Sequence, residues 1–404
     1  MKILFISQRV PYPPNKGDKL RSFNEIKYLS QRHEISLVCL SDNAQDIAES
    51  HHLDPYCASI NVVYLPKLQS KMRSLLALVA GGPLSLAYFY SRELKTVIEG
   101  KLRSEHFDVI FVYCSSMAQY VIQSGHAPRV IDYVDVDSEK WHQYARYARF
   151  PMNLLYRAEG RRLRGYERVV AGTFQHGFLV SEKETEDFRS LVHGSAALTP
   201  IANGVDSSLF QPSAELDSFD PDALVFTGAM DYFANVEAVL YFVKEILPLI
   251  QRSAPQVKLY VVGSNPAPEI VALSKAHPEV IVTGFVDAVQ PYVVNCAAMV
   301  APMRIARGVQ NKILEAMAMG VPVVTSSLGF EGIAATPGVD IFVADAPEVF
   351  ADQVLRLMRD SELRRSVSER GRLTVQKRYD WSGNLEKLER VLVGIGEGSQ
   401  RMTS

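Results

Sequence analysis

Residues Ala301–Thr325, APMRIARGVQNKILEAMAMGVPVVT, leave little freedom in how this chain folds. An apolar run ends in a basic loop, Gly308 offers a backbone free to turn, and Val309 or Gln310 opens a helix that Gly320 and Pro322 close by a glycine-then-proline stop. A second β-branched run follows at once, so the stretch reads as strand, loop, helix and strand, the grammar of a wound α/β sheet. Ile313, Met317 and Gly320 make one apolar stripe with Leu314 and Ala318 beside it, and that face belongs in a core. Asn311, Lys312 and Glu315 share the opposite edge of the first turns. Free N–H groups at the helix start, with Lys312, Arg304 and Arg307 nearby, suit a diphosphate, and Glu315 one turn further in suits the hydroxyls of a ribose. A solvent-facing Glu–Lys edge on an ordinary helix is the plainer alternative.

The same grammar opens the chain. Lys2–Ser7 is a buried-type strand, Gln8–Gly17 a proline-rich loop, Asp18–Ser30 an amphipathic helix and Glu34–Leu40 a second strand. Ligands of such sheets sit beyond the strand C-termini, where Gly17 allows close approach and Asp18, Lys19 and Arg21 are expected to face a crevice. The loop is no GxGxxG, and Asp18 as an ordinary N-cap is the alternative reading. Further strands are expected at Ile60–Leu65, Asp108–Tyr113, Arg129–Val134, the FLVS of Gly177–Ser181, and Leu198–Ile201. Asp132, Asp135 and Asp137 cluster after the third of these. They are too few for a hard-cation site, so a helix cap from Asp135 or Asp137, or a grip on an acceptor hydroxyl, is expected.

Ser207–Asp222 is rich in Ser, Asp and Pro without apolar periodicity and reads as an interdomain linker. Strands then restart at Ala223–Thr227, Lys258–Val262, Glu279–Val282 and Ala298–Pro302, with a long helix at Asn235–Leu249. Gly228, Gly263 and Gly284 follow successive strands, where a ligand needs backbone room.

A length of 404 residues exceeds what one core usually serves, so two domains are expected. The net charge of −2 offers no general attraction for nucleic acid. Cys39, Cys57, Cys114 and Cys296 are far apart with no C-x-x-C, as expected of reduced thiols in a cytoplasmic protein, and MKILFIS reads as a first strand rather than a signal peptide. No apolar run reaches bilayer-spanning length. Leu75–Tyr90 is interrupted by Gly81, Gly82 and Pro83 and flanked by Lys71, Arg73 and Arg92; it reads as two short packed helices or as a segment lying on a membrane. Tyr144–Arg168 carries seven arginines among aromatic and leucine residues, which suits a solvated helix face, then anionic lipid, then nucleic acid.

Arg307–Val324, with its LEAMAMGVPVV, resembles the nucleotide-sugar site of glycosyltransferase family 4, retaining enzymes of the GT-B fold. LFISQRVPYPPNKGDKLRS, DVDSEKW, VSEKE, NGVD and VFTGAMDYFANVEAV add to the likeness, which is strongest toward bacterial exopolysaccharide sugar transferases associated with the exosortase system. The resemblance implies two Rossmann-like domains facing across a cleft: an acceptor domain at 1–205, a donor domain at 206–380, and a C-terminal helix and tail at 381–404 that cross back. It implies donor contacts at Glu315, Asn311, Lys312, Val309, Gln310, Gly308, Arg304, Arg307, Gly228, Gly284, Phe285, Val286 and Gly17, with Phe285 and Val286 presenting backbone groups to the base. Asp18 and Asp135 are the expected catalytic residues. The implied reaction needs no metal or cofactor beyond a nucleoside diphosphate sugar, and its acceptor is lipid-linked or a growing polysaccharide at the inner face of a membrane.

Three departures bear on that expectation. The family's first glutamate, seven residues before the second, falls on Gly308. Its Arg and Lys after the first strand of the second domain are missing from Gly228-Ala229-Met230-Asp231, and a histidine common near the end of a first-domain strand is missing from Val112–Ser116. Arg304, Arg307 and Lys312 are expected to substitute for the lost cations. A nucleotide-sugar epimerase, or a non-catalytic binding subunit of the same fold, remains an alternative.

Overall fold

The computed structural model describes residues 1–15, 17–192, 196–212 and 219–403. Two compact units divide the chain: Met1–Ala202 with Ser382–Ser404, and Asn203–Trp381.

The first unit is built on seven parallel strands: β1 (Lys2–Ser7), β2 (Glu34–Ser41), β3 (Ser59–Tyr64), β4 (Val109–Tyr113), β5 (Arg129–Val134), β6 (His176–Leu179) and β7 (Leu198–Pro200), in the order β3-β2-β1-β4-β5-β6-β7. β1 reads KILFIS because it is central and covered on both faces; Ile3 through Ile6 are fully buried. Phe5 pairs in register with Phe111 of β4, their rings stacked 4.8 Å apart. The order reverses direction between β1 and β4, so the loops after those strands open the crevice in which doubly wound sheets hold ligands.

The second unit repeats the plan with β8 (Asp220–Thr227), β9 (Lys258–Val262), β10 (Val280–Gly284), β11 (Cys296–Ala301), β12 (Val323–Thr325) and β13 (Phe342–Val343), ordered β10-β9-β8-β11-β12-β13 and parallel throughout. Its switch point lies between β8 and β11.

Asn203–Val205, expected with the first domain, groups with the second. Asn203 donates to Asn311 over 2.8 Å, the Val205 N–H donates to the Tyr379 carbonyl, and a Cβ on Gly204 would strike the Trp381 ring at 2.4 Å. Of the expected linker, 213–218 lies outside the described residues, and its last residues already belong to β8. The final helix, Trp381–Thr403, joins the first unit from Ser382 onward: Glu389 accepts from Tyr28 and Arg32 and lies 3.0 Å from His33.

The helix expected over Asn235–Leu249 runs as Phe233–Tyr241 and Leu247–Gln251 joined by a π-turn at Phe242–Ile246. Pro248 has no N–H to give the preceding turn, and the wider turn accommodates it. The basic stretch Tyr144–Arg168 is likewise two helices, Asp137–Tyr147 and Met152–Ala171, interrupted before Pro151.

Candidate functional site

At the switch point of the second sheet, the Asn311–Ala318 helix follows a loop whose Gly308 takes a left-handed φ of 64°. Thr325 and Ser326, at the end of β12, donate to the carbonyls of Ala301 and Met303 and so tether the start of that loop. Ile313, Leu314 and Met317 are buried and fix the helix rotation, which leaves Lys312 and Glu315 on the edge toward the C-terminal end of β8. The early N–H groups of this helix have no carbonyl a turn before them within the helix.

Lys312 crosses to the turn after β8. Its Nζ donates to Asn235 Oδ1 and lies 4.2 Å from the centroid of the Phe226 ring. Asn235 in turn donates to the Ala229 carbonyl over 2.9 Å and shapes the turn. Gly228 admits no side chain, because a Cβ there would lie 2.6 Å from the Asn235 amide and 3.2 Å from Lys312 Nζ. A Cβ on Gly263 would lie 1.7 Å from the Gly228 carbonyl oxygen. The turn that lacks its own Arg and Lys therefore has a cation beside it from the Asn311–Ala318 helix. Burial pushes the Lys312 ammonium down to about 7 despite the favourable field of Glu315, and pushes the Glu315 carboxyl up to about 7 against that of Lys312. Glu315 is half-buried.

Arg304 does not join this group. It donates to Glu237 over 2.7 Å and stacks on Tyr241, 4.5 Å from its centroid, because the helix after β8 offers a carboxylate and a ring on one face. Asn311 spends its carbonyl oxygen on Asn203, so it orders the Asn203 loop. Gln310 caps the helix without a side-chain hydrogen bond, its amide donating to the Arg307 carbonyl, and Val309 is buried. Arg307 is half-buried in the same loop. After β10, Gly284 takes φ 70° with open space around it, Phe285 is 73% exposed and Val286 is half-buried.

In the first unit, Gly17 and Asp18 begin the Gly17–Leu29 helix, and Asp18 pairs with Arg9 at 3.3 Å. Asp18 sits in the first turn, not at the cap. The expectation that Lys19 and Arg21 face a crevice is corrected. Lys19 is buried against Asp46 at 2.7 Å. Arg21 is fully buried, donating to Asp132 over 2.6 Å and to the Ile201 carbonyl over 2.8 Å, with Glu25 3.2 Å away. Burial and the neighbouring Asp132 hold the Glu25 carboxyl well above the usual range, against the opposing field of Arg21.

Asp135 lies 3.6 Å from Lys140, and Asp137 accepts from Ser115 over 2.6 Å. Neither caps the helix that follows: its N-cap, Val136, makes no side-chain cap hydrogen bond. Two carboxylates from elsewhere take up its N–H groups, Glu184 accepting from Val136 over 2.9 Å and Glu167 from Ser138 over 3.0 Å, both nearly fully buried. Burial raises Glu167 to about 8. Burial pushes the Cys114 thiol well up, and Asp137, Asp18, Asp132 and Asp135 raise it further, so the charges of both expected catalytic carboxylates are felt at Cys114, just after β4. Among the described residues no group of three or more His, Cys, Asp or Glu is arranged to hold a metal ion.

Phe226 and Asn235 were legible as strand end and helix start but carried no signal of their part in holding Lys312. Glu167 and Glu184 left none either, because a buried capping carboxylate looks like any helical glutamate in sequence.

Residues 221–360 match the family described as Glycosyl transferases group 1. The chain is 20% identical over 402 residues to a Klebsiella pneumoniae protein named "Uncharacterized 44.6 kDa protein in cps region", covering 94% of this chain and 96% of that one. Among solved structures, the sucrose-phosphate synthase of Thermosynechococcus elongatus aligns over 98% of this chain and 100% of its own, with a TM-score of 0.74 and 15% identity. Anabaena HepE in complex with UDP aligns over the same shares, with a TM-score of 0.70 and 16% identity. The fold is GT-B, two Rossmann-like units of parallel α/β sheet.

Proposed function

We propose that this chain, a glycosyltransferase with a group 1 domain at residues 221–360, moves a sugar with retention from a nucleoside diphosphate to a lipid-linked or growing polysaccharide acceptor. The observation that carries the reading is Lys312 at the Gly228 turn, with a helix N-terminus beside it and Glu315 one turn inside. An ammonium and backbone N–H groups converging where the leaving diphosphate gains charge supply the electrostatic part of the catalysis. Glu315 receives the ribose hydroxyls, and the Gly284–Val286 segment with its exposed Phe285 receives the base. The similar HepE structures are complexes with UDP and with UDP-glucose, which makes a uridine donor the first to test. The cps-region relative supports a surface or secreted polysaccharide, and so the family 4 exopolysaccharide reading. Asp18 and Asp135, whose charges are both felt at Cys114 just after β4, are assigned to orienting the acceptor hydroxyl. Peripheral contact with the inner membrane face belongs to the same reading; among the described residues no helix is long and apolar enough to cross a membrane.

Calorimetry with UDP, GDP and dTDP, followed by turnover of the matching sugar nucleotide with a membrane extract, tests this. Binding of one nucleotide in the micromolar range and transfer to a lipid-extractable product are expected. Binding without transfer favours the non-catalytic reading, and an epimerised sugar nucleotide formed without acceptor favours the epimerase.

A further inference from the structure

We propose that the Lys67–Ala80 helix, with the tip of the Asp137–Tyr147 and Met152–Ala171 pair, is a docking surface for an anionic lipid bilayer. For its purpose the inference rests on the lipid-linked acceptor proposed above; its physical argument does not.

The Lys67–Ala80 helix is turned inside out. Leu68, Met72, Leu75, Leu76 and Val79 recur at the spacing of one helical stripe and are 72%, 59%, 65%, 69% and 87% exposed. Its inner edge is polar and satisfied. Ser70 is fully buried, Arg73 donates to Ser70 over 2.9 Å and to the Ala87 carbonyl over 3.3 Å, and Ser74 donates to the Leu84 carbonyl over 3.1 Å. These bonds hold the helix in the rotation that shows its leucines to the outside. The Met152–Ala171 helix clamps both ends of the turn that follows: Arg162 donates to the carbonyls of Leu78 and Gly82, and the buried Glu159 accepts from the N–H groups of Leu84 and Ser85. An apolar stripe held outward by an ordered network calls for an apolar occupant.

Charge says which occupant. The Lys67–Ala80 helix has no acidic residue, and Lys67 and Lys71 are exposed along the stripe, Lys67 lying 3.7 Å from Asp42. The tip of the clamping pair repeats the composition: Phe150, Met152 and Leu154 are 78%, 41% and 53% exposed among exposed Arg146, Arg149, Arg157 and Arg161. The carboxylates of the Met152–Ala171 helix, Glu159 and Glu167, are both buried. Exposed leucines and a phenylalanine interspersed with exposed cations, on a chain whose net charge is −2, match acyl chains beneath phosphate head groups. At 14 residues the helix is about 21 Å long, too short to span, so it lies in the interface plane.

The test is cosedimentation of the full chain with vesicles of phosphatidylcholine alone or enriched in phosphatidylglycerol, at low and high salt, with UDP affinity measured in parallel. Binding to the phosphatidylglycerol vesicles is expected to be at least about tenfold tighter than to neutral ones and to weaken with salt. Leu75→Glu with Val79→Glu should lower it at least about tenfold, and Lys71→Glu several-fold, with UDP affinity unchanged in both. The substituted side chains are exposed, and the circular dichroism of each variant confirms folding. Failure of the wild type to bind anionic vesicles overturns the proposal, as does binding indifferent to these substitutions, or a dimer lost in the Leu75→Glu, Val79→Glu variant without any vesicle binding. Absence of nucleotide binding in the wild type would instead count against the transferase reading, since the vesicle measurement needs no nucleotide.

Discussion

Lys312 Nζ rests 4.2 Å from the centroid of the Phe226 ring, a contact that joins the helix after β11 to the end of the neighbouring strand β8. The ring face and Asn235 Oδ1 hold an ammonium that has three N–H donors, and Asn235 takes one. If the rest meet a diphosphate, Lys312→Met should weaken UDP binding about 10- to 100-fold, the range of a lost charge-assisted hydrogen bond. Titration calorimetry reads this directly, and an unchanged dissociation constant would remove Lys312 from the site.

The same pair predicts a pH profile. The Lys312 ammonium of the free protein titrates near 7, lowered from 10.5, and binding an anion raises it again, so affinity falls as pH climbs above 7. Glu315 titrates near 7 from the other direction and must be ionised to accept ribose hydroxyls, so affinity also falls as pH drops below 7. A bell-shaped dependence of UDP affinity centred near neutrality is expected, and Lys312→Met should abolish only its alkaline limb. A flat profile between pH 6 and 9 in the wild type would contradict the assignment.

Glu315→Gln should cost about tenfold in UDP affinity and should erase discrimination between UDP and 2′-deoxy-UDP, because the carboxylate is assigned to the ribose hydroxyls. Retained preference for the ribonucleotide in that variant would place the ribose elsewhere.

Arg21 tests the first sheet. Removing it leaves Asp132 charged, fully buried and without its 2.6 Å partner, so Arg21→Met should lower unfolding free energy by about 3–5 kcal/mol. Adding Asp132→Asn should recover part of the loss. Urea unfolding measures both, and full stability of the single variant would show that the pair is dispensable.

Glu167 gives a second pH signature, this time in stability. Its folded value is raised to about 8 from 4.5, so the stability that it contributes is complete below pH 4.5 and is lost as pH rises through 8. Glu167→Gln keeps the oxygen that accepts from Ser138 and removes the titration. Its melting temperature should therefore fall less than that of the wild type between pH 6 and 9, and parallel curves would refute the role.

Local patterns were legible wherever the deciding contacts were local. The strands Lys2–Ser7, Arg129–Val134 and Lys258–Val262 fall where their periodicity places them, because burial on a sheet dictates period and length together. The π-turn lies just before Pro248, where apolar periodicity alone runs on unbroken and only the missing N–H of the proline marks the change. What stayed hidden rests on distant partners. Arg21 looked like a crevice cation because Asp132, which draws it inward, is 111 residues away. The carboxylates capping the Asp137–Tyr147 helix come from 29 and 48 residues downstream, and local rules favoured Asp135 or Asp137 instead. At the candidate site the loop, the helix and the cations were readable, but that Lys312 and not Arg304 reaches the Gly228 turn depends on Asn235, 77 residues back in the chain.

The last helix belongs to the unit that begins the chain, while residues 203–381 form a unit of their own. During synthesis the second sheet has all of its strands before the ribosome reaches the helix whose Glu389 meets Tyr28, Arg32 and His33. The inserted half can thus complete itself on the nascent chain, whereas the half translated first is sealed last, and a message shortened by its final two dozen codons would yield a finished second unit and a first unit whose Tyr28, Arg32 and His33 lack Glu389.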